Sequence, residues 1–182
     1  TAHAIGTVEP FVKDFIVLCG DTIFGINDIK QLAKNGTKIG LVKIDNATEY
    51  GIVELKGKQV QKIHEKMDHP ISNIINAGVY HFNKQIFDYI RKTEKSPRGE
   101  FEITDSINML VNNEQMEGIF LKEWRDVVYP WHLLDANEEL LKKMKTKIQG
   151  IVEKNVVIKG KINVGKGTII RSGTYIEGPV VI

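Results

Sequence analysis

Asp21 is the first residue whose position in the chain suggests chemistry. It stands in the segment FIVLCGDTIF, directly after an apolar run that predicts a buried strand over residues 15–19. A carboxylate beside a buried strand is expensive unless something pairs with its charge. In an α/β sheet, ligands bind beyond the carboxyl ends of the strands, and Asp21 follows its strand at that end. Its position therefore favours contact with a ligand.

Two other patterns approach known metal or phosphate motifs but have the wrong spacing. In HEKMDH the histidines, His64 and His69, are five residues apart, whereas zinc binding from one helix face needs i and i+4. In GKINVGKGT a glycine separates the lysine from the threonine, which a phosphate-binding loop does not allow. Cys19, the only cysteine, fits a small core residue better than a nucleophile. None of these patterns accounts for Asp21.

The elements that must position Asp21 alternate between strand and helix over residues 1–145. The patterns predict strands at 15–19, 38–44, 51–55, 59–65, 75–82 and 117–122, and helices at 28–34, 84–93, 104–112 and 131–145. The turn signal Lys56-Gly57-Lys58 predicts a hairpin between the third and fourth strands. This alternation indicates an α/β sheet that is covered on both faces.

From Gly150 onward the pattern changes to a six-residue period. The apolar positions of this repeat are Val152, Ile158, Val164, Ile170, Ile176 and Ile182, and a β-branched residue stands two positions before each later member. Such a hexapeptide repeat is typical of a parallel β-helix, in which each unit forms one side of a coil. An ordinary Val/Ile-rich hairpin is the alternative interpretation.

Composition and charge exclude several classes of function. The chain has 182 residues, a net charge of +2, and no basic block of the kind that nucleic acids or anionic membranes attract. No apolar run approaches the roughly 20 residues that a membrane helix needs. With one cysteine, no internal disulfide can form, so we expect a cytoplasmic protein.

A constellation of short motifs spreads across the chain in a characteristic order. These motifs are Thr1-Ala2-His3-Ala4-Ile5, Gly20-Asp21, Tyr50-Gly51-Ile52-Val53, Ile63-His64-Glu65-Lys66, Ser72 to Tyr80, Arg98 to Asp105, and Trp124-Arg125-Asp126-Val127. In them the chain resembles the sugar-phosphate nucleotidylyltransferase family, in particular members that are fused to a left-handed β-helix. The resemblance covers essentially all 182 residues.

The resemblance implies a Rossmann-like nucleotidyltransferase domain over residues 1–147, followed by the start of a left-handed β-helix over residues 150–182. It implies a reaction that joins UTP or dTTP to a sugar 1-phosphate and gives an NDP-sugar and pyrophosphate. The glycine-rich loop of the family is missing upstream of Thr1, so we expect these residues alone to be inactive. The β-helix suggests a homo-oligomer.

The resemblance also assigns roles to individual residues. It implies that Asp21 and Asp126 bind Mg²⁺, a cation that prefers a few carboxylate oxygens together with phosphate and water. These carboxylates are distant in sequence, so the fold must bring them together. Catalysis by Lys66, which would contact the sugar phosphate, is implied as well. The substrate-binding residues implied are Thr1 near the base, and Gly51, Glu65 and Asn76 at the sugar.

Two rival functions stay open at this point. The first is a non-catalytic sugar-nucleotide-binding or regulatory subunit that has the same fold. The second is an additional acyltransferase activity in a longer β-helix, for which residues 150–182 show neither an acceptor site nor a catalytic histidine. The sequence also leaves two choices open, between UTP and dTTP and between glucose and N-acetylglucosamine.

Overall fold

The structure is a computed structural model that describes all residues from Thr1 to Ile182. Its helices are α1 (Ala2–Gly6), α2 (Ile26–Leu32), α3 (Ile86–Ile90), α4 (Ile103–Val111) and α5 (His132–Lys143), with a 3₁₀ turn at Glu9–Phe11. Its first eight strands are β1 (Asp14–Leu18), β2 (Thr22–Phe24), β3 (Lys38–Lys43), β4 (Ile52–Lys56), β5 (Gln59–His64), β6 (Ile74–Asn83), β7 (Glu117–Phe120) and β8 (Trp124–Asp126).

Seven further short strands follow α5. They are β9 (Lys147–Ile148), β10 (Ile151–Val152), β11 (Val157–Lys159), β12 (Ile162–Val164), β13 (Ile169–Ile170), β14 (Tyr175–Glu177) and β15 (Val180–Val181). The chain divides into two compact units, Thr1–Asp126 and Val127–Ile182. No helix is long and apolar enough to span a bilayer.

The first unit is built on a six-stranded sheet with the order β1-β6-β3-β7-β5-β4. The pair β3–β7 is parallel and the neighbouring pairs are antiparallel. The start of β4 also pairs with β6, because Ile52 lies opposite Ile75. The β4–β5 hairpin that the sequence predicts is confirmed, and its curl back to β6 brings the residues before Ile52 to the middle of the sheet.

Helices cover both faces of this sheet. Successive residues of a strand point to opposite faces, and β6 shows this directly. Tyr80 and Phe82 belong to a core cluster that includes Ile107 and Leu110 of α4, whereas Val79 packs in a second cluster with Leu32 of α2. The α/β architecture predicted from the sequence is thus confirmed, with α2, α3 and α4 at the predicted places.

Three elements of the first unit were missed by the sequence patterns. They are α1 and the two short strands β2 and β8, which pair with each other outside the main sheet. Two three-residue strands are too short to show an alternating pattern, so only their pairing identifies them. This ribbon is the element that matters most for the candidate site.

The second unit has the helix α5 and a series of parallel strand pairs. Ile151 pairs with Ile169, Val157 with Tyr175, and Ile162 with Val180, so each strand lies beside the strand three hexads later. Ile162, Val164 and Ile170 form its buried centre. The six-residue repeat of the sequence therefore corresponds to a regular pairing of parallel strands, in which the repeat positions Val164 and Ile170 are buried and Ile182 is exposed.

The helix α5 belongs to the compact unit that begins at Val127. It has a contact within this unit, where the Lys161 ammonium donates to the carbonyl oxygen of Lys142 at 2.6 Å. The extent of the nucleotidyltransferase domain, residues 1–147, stays a prediction. The short strands of the second unit begin after α5, at β9.

Candidate active site

The antiparallel ribbon of β2 and β8 brings Asp21 and Asp126 to the same place. Its register puts Thr22 opposite Asp126, and Asp21 immediately precedes Thr22. Both carboxylates lie close enough to Cys19 to affect its thiol. Burial raises the pKa of Cys19, and the negative charges of Asp21 and then Asp126 raise it further. The fold thus unites two carboxylates that are far apart in sequence.

Three contacts fix β8 where this pairing requires it. The buried carboxylate of Asp28 accepts hydrogen bonds from the backbone N–H groups of Lys122 and Glu123, both at 2.9 Å. The indole Nε1 of Trp124 donates to the carbonyl oxygen of Ala77 at 3.0 Å. Asp28 lies in the first turn of α2 and Ala77 lies in β6, so both the helix and the sheet hold the short strand.

Asp126 receives a further contact from the loop before β4. The phenol of Tyr50 donates to Oδ2 of Asp126 at 2.8 Å. The Tyr50 ring also meets the Trp124 ring edge to face, with centroids 6.0 Å apart. Tyr50 therefore links the carboxylate of Asp126, a candidate metal ligand, to Gly51, the residue that directly follows Tyr50 in the chain.

Gly51 and Asn76 lie side by side where β4 curls onto β6. The backbone N–H of Asn76 donates to the carbonyl oxygen of Gly51 at 2.8 Å. The Asn76 side chain donates to the phenol oxygen of Tyr80 at 2.7 Å and accepts from the N–H of Gly78 at 3.1 Å. The side chain thus already has two partners within the protein.

Tyr80 connects this pair to the rest of the site. Complete burial raises the pKa of the Tyr80 phenol strongly. The hydrogen bond from Asn76 acts in the opposite direction, while the nearby Cys19 and Glu65 raise the pKa somewhat more. Glu65 and Cys19, which approach the site from different strands, are therefore both within electrostatic range of one buried phenol.

Glu65 is held by two side chains that follow it far along the chain. Its Oε1 accepts from the hydroxyl of Thr104 at 2.6 Å, and its Oε2 accepts from Nη2 of Arg98 at 3.2 Å. The same guanidinium nitrogen donates to the buried Glu102 at 2.8 Å. The hydrogen bond from Thr104 has the short length of a strong, charge-assisted bond to a carboxylate, so the carboxylate of Glu65 has a defined orientation.

Lys66 and Thr1 are less firmly placed. The Lys66 ammonium is 3.2 Å from Glu49, in an exposed pair of the kind that contributes about 0–1 kcal/mol at most. It can therefore turn to another anion at little cost. The backbone nitrogen of Thr1 donates to the carbonyl oxygen of Phe101 at 2.9 Å.

The donor set fits one kind of cation better than others. No group of three or more His, Cys, Asp or Glu side chains is arranged to hold a metal by itself. Two carboxylates without a third protein ligand suit Mg²⁺, which is commonly bound by one or two carboxylates together with substrate phosphates and water. Asp21 and Asp126 offer that arrangement.

Sequence reasoning missed Tyr50, Arg98 and Thr104 as parts of the site. All three stand inside the motifs that carry the family resemblance, beside Gly51 or within the segment from Arg98 to Asp105. Their roles could not be assigned because each of them contacts a carboxylate that lies on another element of the fold, Asp126 for Tyr50 and Glu65 for Arg98 and Thr104. Only the pairing of those elements reveals the contact.

The chain is similar to proteins of known class over most of its length. The profile of the Nucleotidyl transferase family matches residues 1–143. The Bifunctional protein GlmU of Methanocaldococcus jannaschii is 41% identical over 172 residues, which cover 93% of this chain and 42% of that protein. A Bifunctional sugar-1-phosphate nucleotidylyltransferase/acetyltransferase of Sulfurisphaera tokodaii is 39% identical over 173 residues, covering 91% of this chain and 43% of that protein.

A solved structure agrees with these sequence matches. The crystal structure of a glucose-1-phosphate thymidylyltransferase from Bacillus anthracis in complex with a sucrose superposes with a TM-score of 0.65 at 27% identity, covering 81% of this chain and 63% of that one. The chain spans less than half the length of the two curated relatives. Because the family profile matches well over half of its residues, the chain belongs to the Nucleotidyl transferase family.

Proposed function

We propose that the whole protein is a sugar-1-phosphate nucleotidylyltransferase. It joins UTP or dTTP to a sugar 1-phosphate and releases pyrophosphate. One observation carries the proposal: the register of β2 and β8, which aligns Thr22 with Asp126 and so brings Asp126 beside Asp21. The names of the relatives in S. tokodaii and B. anthracis support the same class of reaction.

The reaction brings two anions together. A phosphate oxygen of the sugar 1-phosphate attacks the α-phosphorus of the triphosphate, and the bond from that phosphorus to the β-phosphate oxygen breaks, so pyrophosphate leaves. Catalysis of such a displacement consists mainly of positioning and charge stabilisation. Asp21 and Asp126 would hold Mg²⁺, which offsets the charge of the phosphates when it is bound.

The remaining site residues would bind and orient the sugar 1-phosphate. Lys66 would leave its exposed partner Glu49 and provide a point charge for the sugar phosphate. Glu65, oriented by Thr104 and Arg98, would accept hydrogen bonds from sugar hydroxyls. The Gly51 backbone and Asn76 would border the sugar, since they are hydrogen-bonded to each other at 2.8 Å. Thr1 would lie near the base.

We further propose that residues 150–182 begin a left-handed β-helix through which copies of the protein associate. The support is the parallel pairing of strands three hexads apart around a core of Ile162, Val164 and Ile170. Repeat units of this kind bury their faces only by stacking on neighbours.

The test uses the full-length protein. Pyrophosphate release is followed with Mg²⁺, UTP or dTTP, and glucose 1-phosphate or N-acetylglucosamine 1-phosphate. Release should require both substrates. Loss of a residue that only supports a metal ligand typically costs roughly 10- to 100-fold in activity. Asp21→Ala and Asp126→Ala remove the proposed ligands themselves, so each should lower the rate of release by more than that. Asp135→Ala, at an exposed aspartate of α5, is the matched control and should keep the normal rate.

The opposite result has a definite meaning. If folded full-length protein releases no pyrophosphate with any of the four substrate pairs, the chain is a binding or regulatory subunit with this fold. Equal rates for Asp21→Ala, Asp126→Ala and Asp135→Ala would remove the two aspartates from the mechanism.

A further inference from the structure

Tyr50 has a position that neither metal binding nor sugar binding by the residues above explains. It precedes Gly51 on the loop before β4, yet its phenol reaches across to β8 and donates to Oδ2 of Asp126 at 2.8 Å. We propose that Tyr50 is a positioning residue that orients the Asp126 carboxylate for the divalent cation. The inference rests on the proposed function, since it assumes that Asp126 is a cation ligand.

Asp126 needs such support because of where it stands. It is the last residue of a three-residue strand whose ladder, in the ribbon with β2, is itself only three residues long. An aspartate side chain loses rotational freedom when it binds a cation, and that loss opposes binding. A hydrogen bond to one oxygen reduces that loss by holding the carboxylate before the cation arrives.

The phenol is a suitable group to do this. A neutral O–H donor to a carboxylate forms a charge-assisted hydrogen bond and adds no charge that would compete with the cation. It occupies only Oδ2, so that Oδ1 is free of this bond. Partners of this kind, one step removed from the metal, often determine the affinity of metal sites.

Tyr50 is itself held in place, as a positioning residue must be. Its backbone N–H donates to the carbonyl oxygen of Ala47 at 3.1 Å. Its ring belongs to a cluster with the buried Ala47, Ile52 and Ile75, and it meets Trp124 edge to face. The Trp124 indole is in turn bonded to β6. The phenol oxygen is therefore fixed by the packing of its ring and does not depend on Asp126 for its position.

The arrangement also connects two parts of the site. The residue after Tyr50 is Gly51, whose carbonyl oxygen accepts from Asn76 at the proposed sugar pocket. A displacement of this loop by the sugar would move the phenol, and hence the orientation of Asp126. Cation binding and sugar binding should therefore depend on the same short segment.

The experiment measures Mn²⁺ binding to the full-length protein by the EPR signal of free Mn²⁺, with no substrate present. Tyr50→Phe removes the hydroxyl and keeps the ring on Trp124. The matched control is Tyr89→Phe, which removes a phenol that donates to Glu114 at 3.2 Å in the same unit. Asp126→Asn tests the ligand directly. We expect Tyr50→Phe to weaken Mn²⁺ binding roughly 10-fold or more, and Tyr89→Phe to leave it unchanged.

A second measurement separates positioning from a purely structural role. In Tyr50→Phe the Mg²⁺ concentration for half-maximal turnover should rise by the same factor, while the rate at saturating Mg²⁺ stays within about threefold of normal. A structural defect would instead lower the melting temperature of Tyr50→Phe below that of Tyr89→Phe and reduce the rate at every Mg²⁺ concentration.

Two outcomes of the Mn²⁺ measurement would overturn the inference, and they differ. If Asp126→Asn weakens Mn²⁺ binding but the affinity of Tyr50→Phe for Mn²⁺ is within twofold of the wild-type affinity, Tyr50 does not position Asp126 and the proposed function stands. If the unvaried protein binds no Mn²⁺, or Asp126→Asn binds it equally well, Asp126 is not a ligand, and the inference falls together with the proposed metal site.

Discussion

Replacement of Gly78 by alanine should destabilise the first unit, and the cause can be read from the backbone. Gly78 lies in β6 with a φ of +73°, a left-handed conformation that side chains rarely adopt. An added Cβ would lie 2.8 Å from the Cys19 sulfur and 3.2 Å from the Cys19 Cβ, both closer than normal contact. The carbonyl oxygen of Gly78 also accepts from the N–H of Cys19 at 3.0 Å, so the backbones cannot separate without losing that bond.

The magnitude divides into two parts. A positive φ at alanine costs about 1 kcal/mol or somewhat more. Forcing a methyl group against a packed neighbour adds about 1–3 kcal/mol, which makes the expected loss of unfolding free energy for Gly78→Ala about 2–4 kcal/mol. Gly57→Ala is the matched control because Gly57 has a φ of +63° and nothing within 4 Å of an added Cβ. Gly57→Ala should lose only the unfolding free energy that the positive φ costs, about 1 kcal/mol or somewhat more.

Urea denaturation of the two variants measures the difference. Tryptophan fluorescence reports on the relevant region because the Trp124 indole is bonded to Ala77, next to Gly78. A Trp131→Phe background leaves Trp124 as the only tryptophan of the 182 residues. Adding Cys19→Ala to Gly78→Ala removes the sulfur that the new methyl group meets, so a double-mutant cycle should show about 1–2 kcal/mol of coupling.

Equal losses in Gly78→Ala and Gly57→Ala would refute the steric argument and leave only the backbone conformation. A cycle without coupling between residues 19 and 78 would refute it as well, since the contact with Cys19 is the stated source of the difference.

Two further predictions concern the site. Thr104→Val removes the hydroxyl that donates to Glu65 at 2.6 Å, and it should raise the KM for the sugar 1-phosphate about 10-fold, as expected for a hydrogen bond to a charged group. Thr104→Ser keeps the hydroxyl, so its KM should stay within about twofold of normal. A normal KM in Thr104→Val would mean that Glu65 does not need this partner. The iodoacetamide reactivity of Cys19, followed against pH in EDTA, should have its midpoint above that of an ordinary cysteine, because burial and then the charges of Asp21 and Asp126 disfavour the thiolate. Asp126→Asn removes one negative charge and should shift that midpoint to lower pH, and an unchanged or higher midpoint would contradict the placement of Asp126 near Cys19.

Much of the fold could be predicted because its larger elements have strong patterns. The apolar run before Asp21 and the turn at Gly57 give β1 and the β4–β5 hairpin, which the structure places within a residue or two of the predicted ranges. The six-residue period likewise anticipates the strands of the second unit and the residues at its centre. In these segments local preference and burial favour the same structure.

The position of α5 shows where that reasoning stops. Its leucines recur at helical spacing and predict the helix, but Leu133, Leu134 and Leu140 are all more than half exposed, and the only buried residue of the helix is Ala136. Periodicity identifies which residues share a face, but not what that face packs against. The pattern of α5 likewise does not show which compact unit the helix joins.

The sequence proposes the members of the candidate site but not the contacts between them, and the reason is physical. The order of the motifs points to Asp21 and Asp126, whereas their proximity depends on two three-residue strands that have no pattern of their own. What aligns those strands is a set of contacts from elsewhere: Asp28 at the start of α2, the Ala77 carbonyl in β6, and Tyr50 on the loop before β4. Each contact joins a side chain to a partner on another element, so no local segment contains both. The proposed chemistry of this site therefore depends on residues that contact the two aspartates or their strand, and Tyr50→Phe tests that dependence with the smallest change, the loss of one oxygen atom.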